Sequence, residues 1–242
     1  TYLTTAGDFP YQKRNYSKEG LFTDHWFLVR SLGGWSPNYS GKGEFVVGAT
    51  AADYDVAYRS GGVVLYDWSK LFDRIDPYLD MGYSSLTLVT DGVPWGLTAT
   101  PETASYGNAS PPDDFDEWYD FMAEMGNQLT GEYGSAVAGQ FRFRVGTELR
   151  GRLNFTDATQ LIEFYDATSE GLAQFIPASS PIGVFNYAGN IESVDNGVTH
   201  SMLDWATHCA SGVNYQSGAT GSYCDWFARS IYSHKTTTGQ PN

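Results

Sequence analysis

Gln140-Phe-Arg-Phe-Arg-Val-Gly-Thr-Glu148 is a stretch in which one carboxylate has a defined place. Phe141, Phe143 and Val145 alternate with Arg142 and Arg144, the period of a strand, and Glu148 stands where that strand runs out. In an α/β barrel the chemistry is placed at the carboxyl ends of the strands. Glu148 is therefore the first residue to weigh as a catalytic acid or base, with Thr147 beside it. The competing reading is a strand-end carboxylate paired with Arg144, Arg150 or Arg152, since structural ion pairs gather at the same places. Other candidates for ligand contact stand beyond other strand-like runs. They are Trp35 after Gly33-Gly34, Asp91 and Trp95 in Asp91-Gly-Val-Pro-Trp-Gly96, Tyr187 closing the run from Pro181, Tyr232 closing the run from Asp225, and His234 just past it. Asp91-Gly92 also reads as ordinary turn chemistry.

These positions need a framework, and the pattern of apolar residues supplies one. His25–Arg30, Ser85–Thr90, Phe141–Val145, Pro181–Tyr187 and Asp225–Tyr232 read as strands. Between them, helical periodicity runs from Asp67 or Ser69 to about Met81, from Asp113 or Asp114 to about Tyr133, from Asp157 to Phe175, and from Thr199 to Ala210. Pro77 inside the first helix is expected to kink or split it. Residues 36–66 read as a long irregular insertion with short apolar pieces such as Val63-Val-Leu65. Strand–helix alternation implies parallel strands joined by crossovers, so one α/β domain covers residues 1–242. A doubly wound sheet would want a glycine-rich phosphate loop after a strand, and Gly33-Gly34 alone is not one.

Composition narrows the partners. The chain of 242 residues carries 28 acidic against 14 basic side chains, a formal charge of -14, which opposes binding to nucleic acid or anionic membranes. No apolar run approaches the roughly 20 residues of a membrane span. The 17 Tyr and 7 Trp are a heavy load, and flat rings with polar tips suit the faces of sugars. The four histidines, His25, His200, His208 and His234, lack metal-binding spacing, and no Cys-x-x-Cys is present. No metal or other cofactor is expected. Four sequons begin at Asn15, Asn38, Asn108 and Asn154. Taken with the two cysteines, Cys209 and Cys224, they point to a secreted, extracellular glycoprotein in which those cysteines form a disulfide. The chain begins at Thr1 with no signal-like segment, as expected of a processed or partial chain.

Several of these pieces, in this order and spacing, resemble the glycoside hydrolases of family 39, barrel enzymes that include β-xylosidases and α-L-iduronidases. Val64-Leu-Tyr-Asp-Trp-Ser69 and Ser84–Thr90 look like that family's helix entry and third strand. Phe141–Glu148 looks like its fourth strand, and His208–Tyr215 with Gly221–Asp225 is similar to its approach to the sixth. The resemblance implies a (β/α)8 TIM barrel of which this chain covers about strands two to six. It implies that Glu148 is the general acid/base of a retaining mechanism, which needs a second carboxyl group as nucleophile. That group would come from a seventh strand not found here, through further residues or a second polypeptide. Thr147 replaces the family's Asn, and Leu32 stands in place of its second-strand His. Two functions stay open: a secreted glycosidase acting on a carbohydrate, and an inactive structural or glycan-binding matrix glycoprotein built on the same barrel.

Overall fold

The computed structural model describes residues 27–34, 55–90, 92–99, 103–104, 107–108, 110–147, 154–187 and 202–229. In chain order its elements are β1 (Phe27–Arg30), β2 (Ala57–Ser60), β3 (Val63–Tyr66), α1 (Ser69–Asp80), β4 (Leu86–Val89), a 3-10 turn at Trp95–Leu97, and the short strands β5 (Thr103–Ala104) and β6 (Gly107–Asn108). There follow α2 (Phe115–Ala138), β7 (Arg142–Thr147), α3 (Ala158–Ala173), β8 (Ile182–Tyr187), α4 (Met202–Ser211) and β9 (Trp226–Arg229).

Five strands form one sheet in the order β1-β4-β7-β8-β9, and every neighbouring pair is parallel. Each new strand is added on the same side of the last. A doubly wound sheet would reverse that direction at a switch point, whereas a barrel never does. The described strands thus trace an arc of a barrel, with β1 and β9 at its two ends.

Register explains how the sheet sorts its residues. Val29, Leu88, Phe143 and Ile182 lie in one row across β1, β4, β7 and β8, and all four belong to the apolar core. The next row is Arg30, Val89, Arg144 and Gly183, which period-2 geometry turns to the opposite face. The first face takes the helices. Core residues on them include Leu71, Ile75 and Tyr78 of α1, Trp118, Met122, Met125 and Leu129 of α2, and Leu161, Phe164 and Leu172 of α3. The other face buries two arginines, Arg30 and Arg144, at 2% and 8% exposure.

Two helix starts follow their expected chemistry, whereas α1, expected to be capped by Asp67 or Ser69, has Trp68 at that place and no side-chain cap bond. Asp114 caps α2 by accepting the N–H groups of Asp116 and Glu117, and Asp157 caps α3 through Gln160, each satisfying donors that the first turn leaves open. Two expectations need correction. Pro77 neither splits nor ends α1, which stays continuous through Asp80. The one ladder bond that proline removes is outweighed where Ile75 and Tyr78 flank it in the core. Part of the supposed irregular insertion is a β-hairpin, β2 paired antiparallel with β3. Its two-residue turn is Gly61-Gly62, with φ of 59° and 85°, the pair of positive angles that the tight hairpin turn requires. Arg59 ties the hairpin to α2 through Glu117 at 2.7 Å. In α2 the helical path breaks at Gly134, φ 72°, just past the expected end at Tyr133.

Candidate functional site at the carboxyl ends of the strands

The parallel strands all finish on one side, and two loops there are stitched together by a carboxylate. Beyond β1 the chain runs through Ser31, Leu32, Gly33 and Gly34, with φ of 105° and 66° at the two glycines. Beyond β4 it runs to Trp95, the first residue of the 3-10 turn. Asp55, 1% exposed, accepts the Gly34 N–H at 2.6 Å on one oxygen and the Trp95 N–H on the other. Lys70 Nζ donates to the Asp55 carbonyl at 3.2 Å, and Arg74 donates to the Ser31 carbonyl at 2.6 Å.

Burial pushes the Asp55 carboxyl up to about 7, against the opposing pull of the two N–H groups, Arg74 and Lys70. Burial likewise lowers Arg74 to about 10. Asp55 is a loop carboxylate without a distinctive motif, and the sequence offered no signal for it beyond its position in the insertion. Its donors are backbone groups, so its role is to hold the rim in shape.

Among the candidates read from the sequence, Trp95 is placed on this rim by that bond to Asp55. Thr147 and Tyr187 are the last residues of β7 and β8. Thr147 lies in register with Asn186, and Tyr187 with Arg229 of β9, so these four share the carboxyl edge. The sequence reading did not single out Asn186 or Arg229. Leu32 is fully buried. Glu148, Trp35, Asp91, Tyr232, His234, Asn15 and Asn38 lie outside the described residues.

The two described sequon asparagines differ. Asn154 is exposed. Asn108 is only 5% exposed; its N–H donates to the Gly34 carbonyl at 2.6 Å and its Nδ2 to the Val93 carbonyl at 3.1 Å. Asn108 is thus a strut of the rim, with its amide nitrogen engaged and covered.

The opposite face carries a second polar cluster. The loop between α4 and β9 folds under the start of β8, where Asp225 accepts the Ile182 N–H at 2.8 Å and returns its own N–H to the Ile182 carbonyl at 2.7 Å. Asp166 of α3, fully buried, lies 3.0 Å from His208 Nε2 and accepts from Ser222 Oγ at 2.7 Å and from the Tyr215 N–H at 2.8 Å. Serine, histidine and aspartate together invite comparison with a nucleophilic triad. The geometry refuses it, because Ser222 and Asp166 meet the same imidazole nitrogen, whereas a triad needs one on each side of the ring. At the amino-terminal ends of the strands such a network serves stability. Cys209 and Cys224 lie here too, both as thiols.

Among the described residues, no three His, Cys, Asp or Glu are grouped to hold a metal ion, and no helix is long and apolar enough to cross a membrane.

Comparison with known proteins places this geometry. No protein-family model matches the chain. An α-1,4-L-rhamnosidase of Formosa agariphila is 23% identical over 123 residues, covering 47% of this chain and 25% of that enzyme. A bacterial orthologue of human α-L-iduronidase superimposes with a TM-score of 0.63 at 17% identity, over 95% of this chain and 32% of that one. A monomeric β-xylosidase from Caulobacter crescentus gives 0.58 at 21% identity, over 74% and 33%. The chain thus spans about a quarter to a third of the length of the proteins it matches. The parallel sheet, the helices on one face and these superpositions show the TIM-barrel fold of glycosidases of the β-xylosidase and iduronidase kind.

Proposed function

We propose that this chain is part of a secreted, glycoside hydrolase-like protein that acts on or binds glycans, with Glu148 as general acid/base of a retaining mechanism. The observation that carries this reading is the position of β7. It lies between β4 and β8 in the parallel arc and ends at Thr147, and Glu148 is the next residue in the chain. A carboxylic acid there protonates the departing glycosidic oxygen, then as carboxylate takes a proton from the water that releases the sugar. The attacking carboxylate, needed about 5–5.5 Å away, comes on this reading from a further strand, supplied by more of the polypeptide or by a second chain. Trp95, Thr147 and Tyr187 stand on the rim around the sugar. Trp35, Asp91, Tyr232 and His234 are proposed to join them. The rhamnosidase, xylosidase and iduronidase matches make aryl rhamnosides, xylosides and iduronides the first substrates to test.

Extracellular location rests on the sequons, with glycans at Asn15, Asn38 and the exposed Asn154. A second reading, a matrix or glycan-binding scaffold without turnover, is supported by Thr147 in place of a sugar-contacting asparagine and by Leu32, buried where a polar contact would be needed. Hydrolysis of those aryl glycosides by the full-length protein decides between the two readings.

A further inference from the structure

Cys209 sits in the last turn of α4 and Cys224 just ahead of β9, with the intervening chain folded back on itself. Val213 pairs with Thr220 across that fold. The Gly221 N–H bonds the Gly212 carbonyl at 2.7 Å, and the Ser222 N–H bonds the Cys209 carbonyl at 3.0 Å. The two thiols are in hydrogen-bond contact with each other and with the Tyr165 hydroxyl, which donates to the Tyr223 carbonyl. Both cysteines are only half-buried. A cavity of about 440 Å³ opens beside Cys209, lined by Glu170, Cys209, Ser217, Thr220, Ser222 and Tyr223 among others, and gives a small reagent a way to that thiol.

We propose that Cys209 and Cys224 are an oxidation site: a disulfide donor converts them to a disulfide that staples the amino-terminal rim of the sheet, tying α4 to the entrance of β9. The loop is already held closed by its own hydrogen bonds, by Asp166 and by His208, so the bond captures an arrangement the fold has made. The hydrogen bond from Cys209 draws the Cys224 thiol down, while the bond to Cys224 and burial push Cys209 up. One of the two, as its thiolate, attacks the donor first. Its sulfur bonds to one sulfur of the donor and expels the other half as a thiolate. The other cysteine then attacks that cysteine sulfur, expelling the second half. Both cysteine protons end on the two thiols released, and the donor disulfide takes up the two electrons. The cysteines are more than a packed pair of small apolar side chains on this account, and the inference stands apart from any role of Glu148.

The experiment treats the full chain with excess oxidised glutathione and maps unreduced peptides by mass spectrometry, with melting temperatures read before and after reduction. The expected result is one peptide pair linking Cys209 to Cys224, with a melting temperature roughly 6–12 °C above the reduced form, as a closed loop of this length implies in a domain of this size. In the Cys209→Ala, Cys224→Ala double variant that difference disappears. Thiols that stay free, glutathione adducts without a Cys209–Cys224 link, or a link with no change in melting would each overturn the proposal. The peptide map on the unmutated chain decides even where the variant fails to fold.

Discussion

Asp55 and Trp95 are bound to each other across 40 residues of chain: the Trp95 N–H reaches one carboxylate oxygen, while the other takes Gly34. That single side chain joins the loops leaving β1 and β4, the neighbouring strands at one end of the arc. It connects backbone conformation to rim shape, since Gly33 and Gly34 adopt angles that suit glycine to bring the N–H into place.

The bond has a pH signature. The Asp55 carboxyl is raised by burial to about 7 from an ordinary 3.8, so between those values the folded state holds a proton that the unfolded state has lost. Its contribution to stability is full below about pH 4 and is lost as pH rises through 7. In urea titrations from pH 4 to 7, Asp55→Asn should reduce the downward slope seen in the unmutated protein. An unchanged slope would show that Asp55 is ionised throughout.

A second prediction concerns the contact between α2 and α3. Trp118 Nε1 donates to Thr168 Oγ1 at 2.7 Å, with both residues fully buried. Thr168→Val keeps the shape and removes the acceptor, leaving an indole N–H unsatisfied at a cost of about 1–3 kcal/mol. Adding Trp118→Phe should recover part of that loss in a double-mutant cycle measured by denaturant unfolding. Strict additivity would mean that the hydrogen bond contributes nothing.

Gly183 and Gly131 make an opposed pair. A Cβ at Gly183 would fall 2.5 Å from the Trp226 carbonyl and 2.6 Å from its ring, so Gly183→Ala should destabilise by about 1–3 kcal/mol through overpacking between β8 and β9. At Gly131, inside α2, a Cβ meets nothing within 4 Å, and Gly131→Ala should stabilise by about 0.5–1 kcal/mol. Thermal unfolding of the two variants should move in opposite directions.

For glycosylation, the geometry separates two sequons that look alike as triplets. Peptide mapping of the protein secreted from eukaryotic cells should find a glycan on exposed Asn154 and none on Asn108, whose amide donates to Val93. A glycan on Asn108 would require a rim unlike the one described.

The elements were legible wherever local chemistry fixed them. The alternation of Phe141, Phe143 and Val145 marks β7, and of the cap candidates Asp113 or Asp114 and Thr156 or Asp157 the fold uses Asp114 and Asp157, whose side-chain oxygens meet open N–H groups. The Gly61-Gly62 hairpin was missed although its turn chemistry was present, because β2 and β3 are only four residues each and β2, Ala-Tyr-Arg-Ser, mixes polar with apolar. Asp55 and Asp166 were missed for a different reason. Their meaning comes from Gly34 and Trp95, or from His208 and Ser222, partners distant in the chain that no local period reveals. Asn108 shows the converse, a local motif whose tertiary bonds override it.

The most direct test of the central claim is hydrolysis of aryl glycosides by the purified full-length protein and its Glu148→Gln variant. The account predicts measurable turnover by the unmutated protein and a loss on the order of 10²–10⁴-fold in the variant, the usual worth of a positioned acid/base. Equal turnover by the two proteins, or none by either, would contradict Glu148 as the acid of a glycosidase.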